Sequence, residues 1–213
     1  LAIEDAMQLI GSATSPYVRK VRVYIEETGA RCEFAVVDAW QPDARLLAIA
    51  PLGKVPVLVR DDGSALFDSL LVLEYLDHTL PEARRLIPAA GEPRWDVLRW
   101  QALAHGLIDA TVMRLLDVRR PEALRSREVQ AREEVRIARS LDAIEKGVAG
   151  RQWLCLDRLT LADIALGVAL QYIDFRYPHD WPGTRPALAK WAARMTSRPS
   201  FAKTLPPGFT PTA

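Results

Sequence analysis

Ser15 and Pro16 stand where an apolar run gives way to an amphipathic one, in GSATSPYVRKVRVYIEE. A serine followed by a proline fits the cap and first-turn positions of a helix. The same hydroxyl, at a helix start that follows a strand, also lies where parallel sheets bind ligands and where negative charge is favoured, so it can donate a hydrogen bond to an anion. Asp68 and Ser69 fit the cap of another helix, Val55-Pro56 the rigid opening of a strand, and Lys54 an ordinary surface lysine. His105 and Asp109 stand four apart, which suits a hydrogen-bonded pair, but two residues do not make a metal site. His78 and His179 have no ligand partner in the sequence, and Cys32 and Cys155 form no Cys-x-x-Cys or spaced metal framework.

These residues need elements to hold them. Met7 to Ser12 predicts a strand, and after Pro16 the residues Val18, Val21, Ile25 and Thr28 share one helical face. Arg19, Lys20, Glu26 and Glu27 are expected on the other faces, with Gly29 ending the helix. CEFAVVD is a second strand, and strand-helix-strand with short links implies parallel pairing by a right-handed crossover. A short helix over about Pro42 to Ile49 leads to PLGKVPVLVRDDGSALFDS, where Asp62-Gly63 between two apolar runs predicts an antiparallel hairpin. Ser69 then opens a helix with Leu70, Leu73, Tyr75 and Leu76 apolar. The order βαβ then ββα is that of a thioredoxin-like domain, expected over residues 1–80.

Residues 81–93, rich in proline and small residues, predict a linker, and 94–213 an all-helical domain. The fold class expected is therefore α/β plus all-α. Long amphipathic stretches run over 94–118 and 122–147. In the second, Arg132, Arg136 and Arg139 alternate with Glu128, Glu133 and Glu134, as on a solvated, salt-bridged face. Thr160 and Asp163, before an apolar run in LTLADIALGVAL, read as a capping box with Leu159 and Ile164 as its hydrophobic staple. The helix they open is apolar on almost all sides and should run through the middle of its domain. LPPGFTPTA is too proline-rich for helix.

Composition narrows the function. Among 213 residues, 28 basic side chains face 27 acidic ones, a formal charge of +1 that gives no strong field for nucleic acid or an anionic membrane. The uncharged run from Ile164 to Ile173 falls far short of the roughly 20 residues of a spanning helix. The cysteines suit a reducing, cytoplasmic setting. Met7 reads as the natural start, with residues 1–6 a non-native or upstream extension, and LAIEDA lacks the basic region of a secretion signal.

On four segments in order, SPYVRKVRV, PLGKVPVL, FDS and LTLADIAL, the chain resembles a cytosolic glutathione transferase over essentially its whole length. It is most similar to small bacterial members whose first helix opens Ser-Pro-aromatic. The resemblance implies glutathione as co-substrate, no metal, a small hydrophobic electrophile as the other partner, and a homodimer. It implies that Ser15 donates a hydrogen bond to the glutathione sulfur and that Val55, before a cis Pro56, pairs its backbone with the cysteinyl part. Asp68 and Ser69 would hold the γ-glutamyl end, and Lys54 would neutralise a carboxylate near the glycyl end. Thr14, Ser12 and Tyr17 are alternative activators of the thiol. Trp100, His105, Tyr172, Phe175 and Arg176 are candidates for the electrophile pocket, each with core packing as its competing role.

Serine where a reductase needs a thiolate disfavours glutaredoxin-like and omega-like activities. The rivals are a non-catalytic binding or regulatory protein on the same fold and a glutathione-dependent isomerase or dehalogenase. Ala13-Thr14-Ser15-Pro16 stands where zeta-type isomerases have Ser-Ser-Cys.

Overall fold

The computed structural model describes residues 7–38, 40, 41 and 44–211. The expected extension at 1–6 and the expected helix start at Pro42 lie outside the described residues. Two compact units divide the chain. One comprises residues 1–86 with 199–208, the other 87–198 with 209–213.

The first unit opens with β1 (Met7–Gly11), α1 (Pro16–Thr28) and β2 (Cys32–Val36), and β1 and β2 pair in parallel from Met7 opposite Cys32 to Gly11 opposite Val36. After α2 (Ala44–Ile49) come β3 (Val57–Val59) and β4 (Ala65–Leu66), an antiparallel hairpin turning at Gly63 with φ +79°. A side chain is rarely found at such a φ, so glycine sets the turn. The strand order β2-β1-β3-β4 completes the expected sheet, and α3 (Ser69–Thr79) follows. Leu9, Val18, Val21, Val57, Leu58, Val72, Leu73 and Leu76 are fully buried and form the core.

The reading of α1 as a one-faced helix is corrected. Val18 and Val21 are buried as expected, but so are Arg19 and Lys20, 2% and 0% exposed. Part of the cause is α9 (Pro199–Lys203), which belongs to this unit and contacts α1. The Arg19 guanidinium donates to the Phe201 carbonyl at 3.2 Å and lies over that residue's ring. Ser200 donates to Glu27, and Lys203 pairs with Glu26 at 2.9 Å. Burial, with Arg22 adding repulsion, lowers the Arg19 pKa to about 10, so it stays charged at neutral pH. A long cation can bury its stem and still place its head on an acceptor, which charge alone does not reveal.

The second unit is helical: α4 (Glu92–Val118), α5 (Arg127–Val148), α6 (Leu161–Arg176), α7 (Trp181–Thr184) and α8 (Pro186–Thr196). α5 starts five residues later than the expected 122, because Ser126 caps it, its Oγ accepting from the Val129 N–H at 3.2 Å. Asp117 accepts from the Ser126 N–H at 3.1 Å and from Gln130 at 2.7 Å, joining α4 to α5. Glu133 is not on a solvated face. It is 1% exposed and pairs with Arg132 and Arg136, each about half exposed. α6 is buried from Leu161 to Ile173, as its apolar circumference demands.

Candidate functional site

Strand register brings the predicted glutathione residues of the first unit to one end of the sheet. Ile10, near the end of β1, sits opposite Val57, the first residue of β3, and Leu66 at the end of β4 sits opposite Leu58. The loop carrying Ser15, the Val55-Pro56 step and the Asp68-Ser69 step therefore all emerge at the same edge. No local pattern dictates this convergence. It follows from antiparallel pairing of β3 with both neighbours.

Ser15 is the N-cap of α1. Its Oγ accepts from the Val18 N–H at 3.4 Å and its carbonyl accepts from the Arg19 N–H at 2.9 Å. A hydroxyl that accepts at its lone pair keeps its hydrogen for another acceptor, so capping and donation are compatible. Ser12 and Thr14 face each other instead, their hydroxyls 3.2 Å apart. The Val55-Pro56 bond is cis, as the resemblance implies, and Pro56 is buried while Lys54 is exposed.

Asp68 caps α3 by accepting from the Leu70 N–H at 2.8 Å. Ser69, the first residue of that helix, is 0% exposed, and its Oγ makes no hydrogen bond. A buried hydroxyl without a partner costs free energy, and one at a helix N-terminus stands among N–H groups that favour an anion. Sequence alone marks Asp68-Ser69 as a cap; it does not reveal that the serine hydroxyl is left over.

Neither cysteine is a thiolate at neutral pH. Burial pushes the Cys32 thiol up to about 11, and burial followed by the charge of Asp163 pushes Cys155 up to about 12. At pH 8 a free thiol near ~8.5 is about one quarter thiolate. Labelling of both native cysteines with a thiol reagent at that pH should be at least about a hundredfold slower than in urea; rapid native labelling would refute the burial.

In the second unit, Trp100 is 6% exposed with its ring against Gly147, where an added Cβ would come within 2.6 Å. It packs α4 on α5. His105 and Asp109 lie 3.8 Å apart, beyond hydrogen-bond length. Tyr172, Phe175 and Arg176 gather at the end of α6. Among the described residues no cluster of His, Cys, Asp and Glu could hold a metal ion, and no helix is long and apolar enough to cross a membrane.

A thioredoxin-like α/β unit followed by helices, with a cis-proline loop and an open serine at one sheet edge, defines a class. The chain belongs to the glutathione S-transferase family. Residues 9–84 match that family's N-terminal domain and 127–194 its C-terminal domain. The chain is 37% identical over 202 residues to the uncharacterised GST-like protein YibF of Escherichia coli K12, covering 94% of this chain and 99% of that one. A glutathione S-transferase from Methylobacillus flagellatus KT, solved with glutathione bound, superposes with a TM-score of 0.90 at 39% identity, covering 94% of this chain and 100% of that one. A glutathione transferase family member from Pseudomonas fluorescens Pf-5, solved with S-(propanoic acid)-glutathione, gives 0.83 at 33%, covering 95% and 100%.

Proposed function

We propose that this protein is a cytoplasmic glutathione transferase that binds glutathione through residues 1–80 and conjugates it to a small electrophile bound by the helical region 94–213, working as a homodimer without a metal. The observation that carries the reading is the unpartnered, fully buried Ser69 hydroxyl at the start of α3, on the same sheet edge as Ser15 and cis Pro56. A γ-glutamyl carboxylate satisfies that hydroxyl and the adjoining N–H groups together. Val55 offers backbone for strand-like pairing with the cysteinyl part, and Lys54 a charge for the glycyl carboxylate. Relatives solved with glutathione and with a glutathione carrying a carbon substituent on sulfur support both the ligand and the product type.

In the reaction, Ser15 Oγ–H donates to the sulfur and stabilises the thiolate. The sulfur lone pair attacks an electrophilic carbon, the S–C bond forms, and the leaving group departs with its electron pair. The thiol proton leaves to solvent as the thiolate forms; Ser15 only donates and takes no proton, and the sulfur of the thiolate is the attacking atom. The two free cysteines suit a reducing compartment.

Calorimetry tests the reading. Glutathione should bind at millimolar concentration or below, and Ser69→Ala should weaken it by about tenfold or more, the worth of one hydrogen bond to a charged group. Absence of heat at millimolar glutathione would overturn the reading. Binding without turnover of any electrophile in a panel would leave a binding protein on this fold.

A further inference from the structure

Ser15 opens the first turn of α1, and its own cap holds that turn loosely. The Ser15 Oγ accepts from the Val18 N–H at 3.4 Å, long for a bond of this kind, and no acidic residue in the first turn reinforces it. The turn is held from outside instead, at two adjacent residues. On one side the Val18 side chain rests on Gly11 at the end of β1, so closely that an added Cβ there would come within 2.5 Å of it. On the other, the Arg19 guanidinium donates to the Phe201 carbonyl at 3.2 Å and lies over the Phe201 ring at 5.7 Å. Arg19 is also tied to the serine directly, since its backbone N–H donates to the Ser15 carbonyl at 2.9 Å.

The segment that receives Arg19 is itself anchored. Phe201 and Thr204 are buried, and the Thr204 hydroxyl donates to the Ser200 carbonyl at 2.8 Å. Ser200 donates to Glu27 and Lys203 pairs with Glu26 at 2.9 Å, so the segment grips the last turn of α1 as well as Arg19. A methionine at position 19 would fill the same space without the desolvation that a buried guanidinium incurs. What the arginine adds is direction, because its planar donors fix where the helix start stands relative to the Phe201 carbonyl. A hydroxyl that acts through one hydrogen bond depends on such placement: a displacement of about 1 Å can cost about a hundredfold in rate.

We infer that Arg19 is a positioning residue for Ser15, through which the C-terminal segment 199–208 sets the hydroxyl that acidifies bound glutathione. The chemical consequence rests on the reading of Ser15 as donor to the sulfur; the placement of the hydroxyl does not need the ligand.

Two measurements on the full chain test this. Without ligand, amide hydrogen exchange at Val18, whose N–H reports the cap, should quicken about tenfold in Arg19→Met. With glutathione bound, the same variant should raise the apparent pKa of the thiol by about half a unit and slow turnover near neutral pH about threefold, with glutathione affinity within about twofold of the parent. Arg19→Lys should recover part of each effect. Ser200→Ala with Lys203→Met, which loosens the segment and leaves Arg19 intact, should act in the same direction and add little to Arg19→Met, as coupled residues do. Unchanged exchange at Val18 in Arg19→Met, with unaltered circular dichroism, would overturn the inference. So would full additivity, which would leave Arg19 acting by its charge alone, or a thiol titration unmoved by Arg19→Met where Ser15→Ala moves it. Absence of glutathione binding in the parent would overturn the transferase reading, while faster exchange at Val18 in both sets of variants would still establish the positioning role.

Discussion

Replacing Ser15 with alanine should raise the apparent pKa of bound glutathione by about one to two units and slow turnover near neutral pH about ten- to a hundredfold, with glutathione still bound. A free thiol titrates near ~8.5, and each unit of depression requires about 1.4 kcal/mol of preference for the anion. A hydrogen bond to a charged group contributes about 1.5–3 kcal/mol, while the helix N-terminus contributes about 0.3–1 and survives the substitution. In the proposed reading affinity is carried by other residues, chiefly the Asp68-Ser69 step. The variant also loses a cap worth about 0.5–2 kcal/mol, so a denaturation midpoint should accompany the ultraviolet titration of the thiolate. An unchanged titration would remove Ser15 from the mechanism and direct attention to the Ser12 and Thr14 hydroxyls.

Asp163→Ala should be the most destabilising single change, about 3–5 kcal/mol by urea denaturation. The Asp163 carboxylate is 0% exposed and accepts from the Thr160 N–H at 2.8 Å, the Thr160 hydroxyl at 2.7 Å and the Leu154 N–H at 2.9 Å. Removing it strands three buried donors, each worth about 1–3 kcal/mol before relaxation. Thr160→Ala should cost less, about 0.5–2 kcal/mol. Burial, only partly opposed by these hydrogen bonds, raises the Asp163 pKa above its unfolded value. Its proton is then released at lower pH by the unfolded chain than by the folded one, so its contribution falls as pH rises from about 4 toward the folded pKa. The deficit of Asp163→Asn relative to the parent should narrow over that window; a deficit independent of pH would show that the carboxyl is not shifted upward.

Much of this was legible in the sequence where one local rule governs. Pro16 and Gly29 bracket α1, Asp62-Gly63 turns the hairpin, and Thr160 with Asp163 opens α6, because caps and turns are set by neighbours in sequence. The candidate glutathione residues were nameable for the same reason, each sitting at such a boundary. The burial of Arg19 was not legible, since part of it depends on a segment that follows it by almost the whole chain. Nor was Glu133, whose partners at Arg132 and Arg136 suggest a surface while tertiary packing covers its carboxylate. The unpartnered Ser69 hydroxyl was hidden too: a cap motif states which groups are satisfied and is silent on those left over.

The inclusion of residues 199–208 in the first unit has a consequence for biosynthesis. Translation proceeds at about 5–20 residues per second, and β1 through α3 leave the ribosome well before Phe201 is made. During that interval Arg19 lacks the carbonyl that receives it, and Glu26 and Glu27 lack Lys203 and Ser200. The first unit is thus finished only after the helical unit has been synthesised, so nascent chains arrested before Pro199 cannot yet hold the Ser15 helix in its final setting.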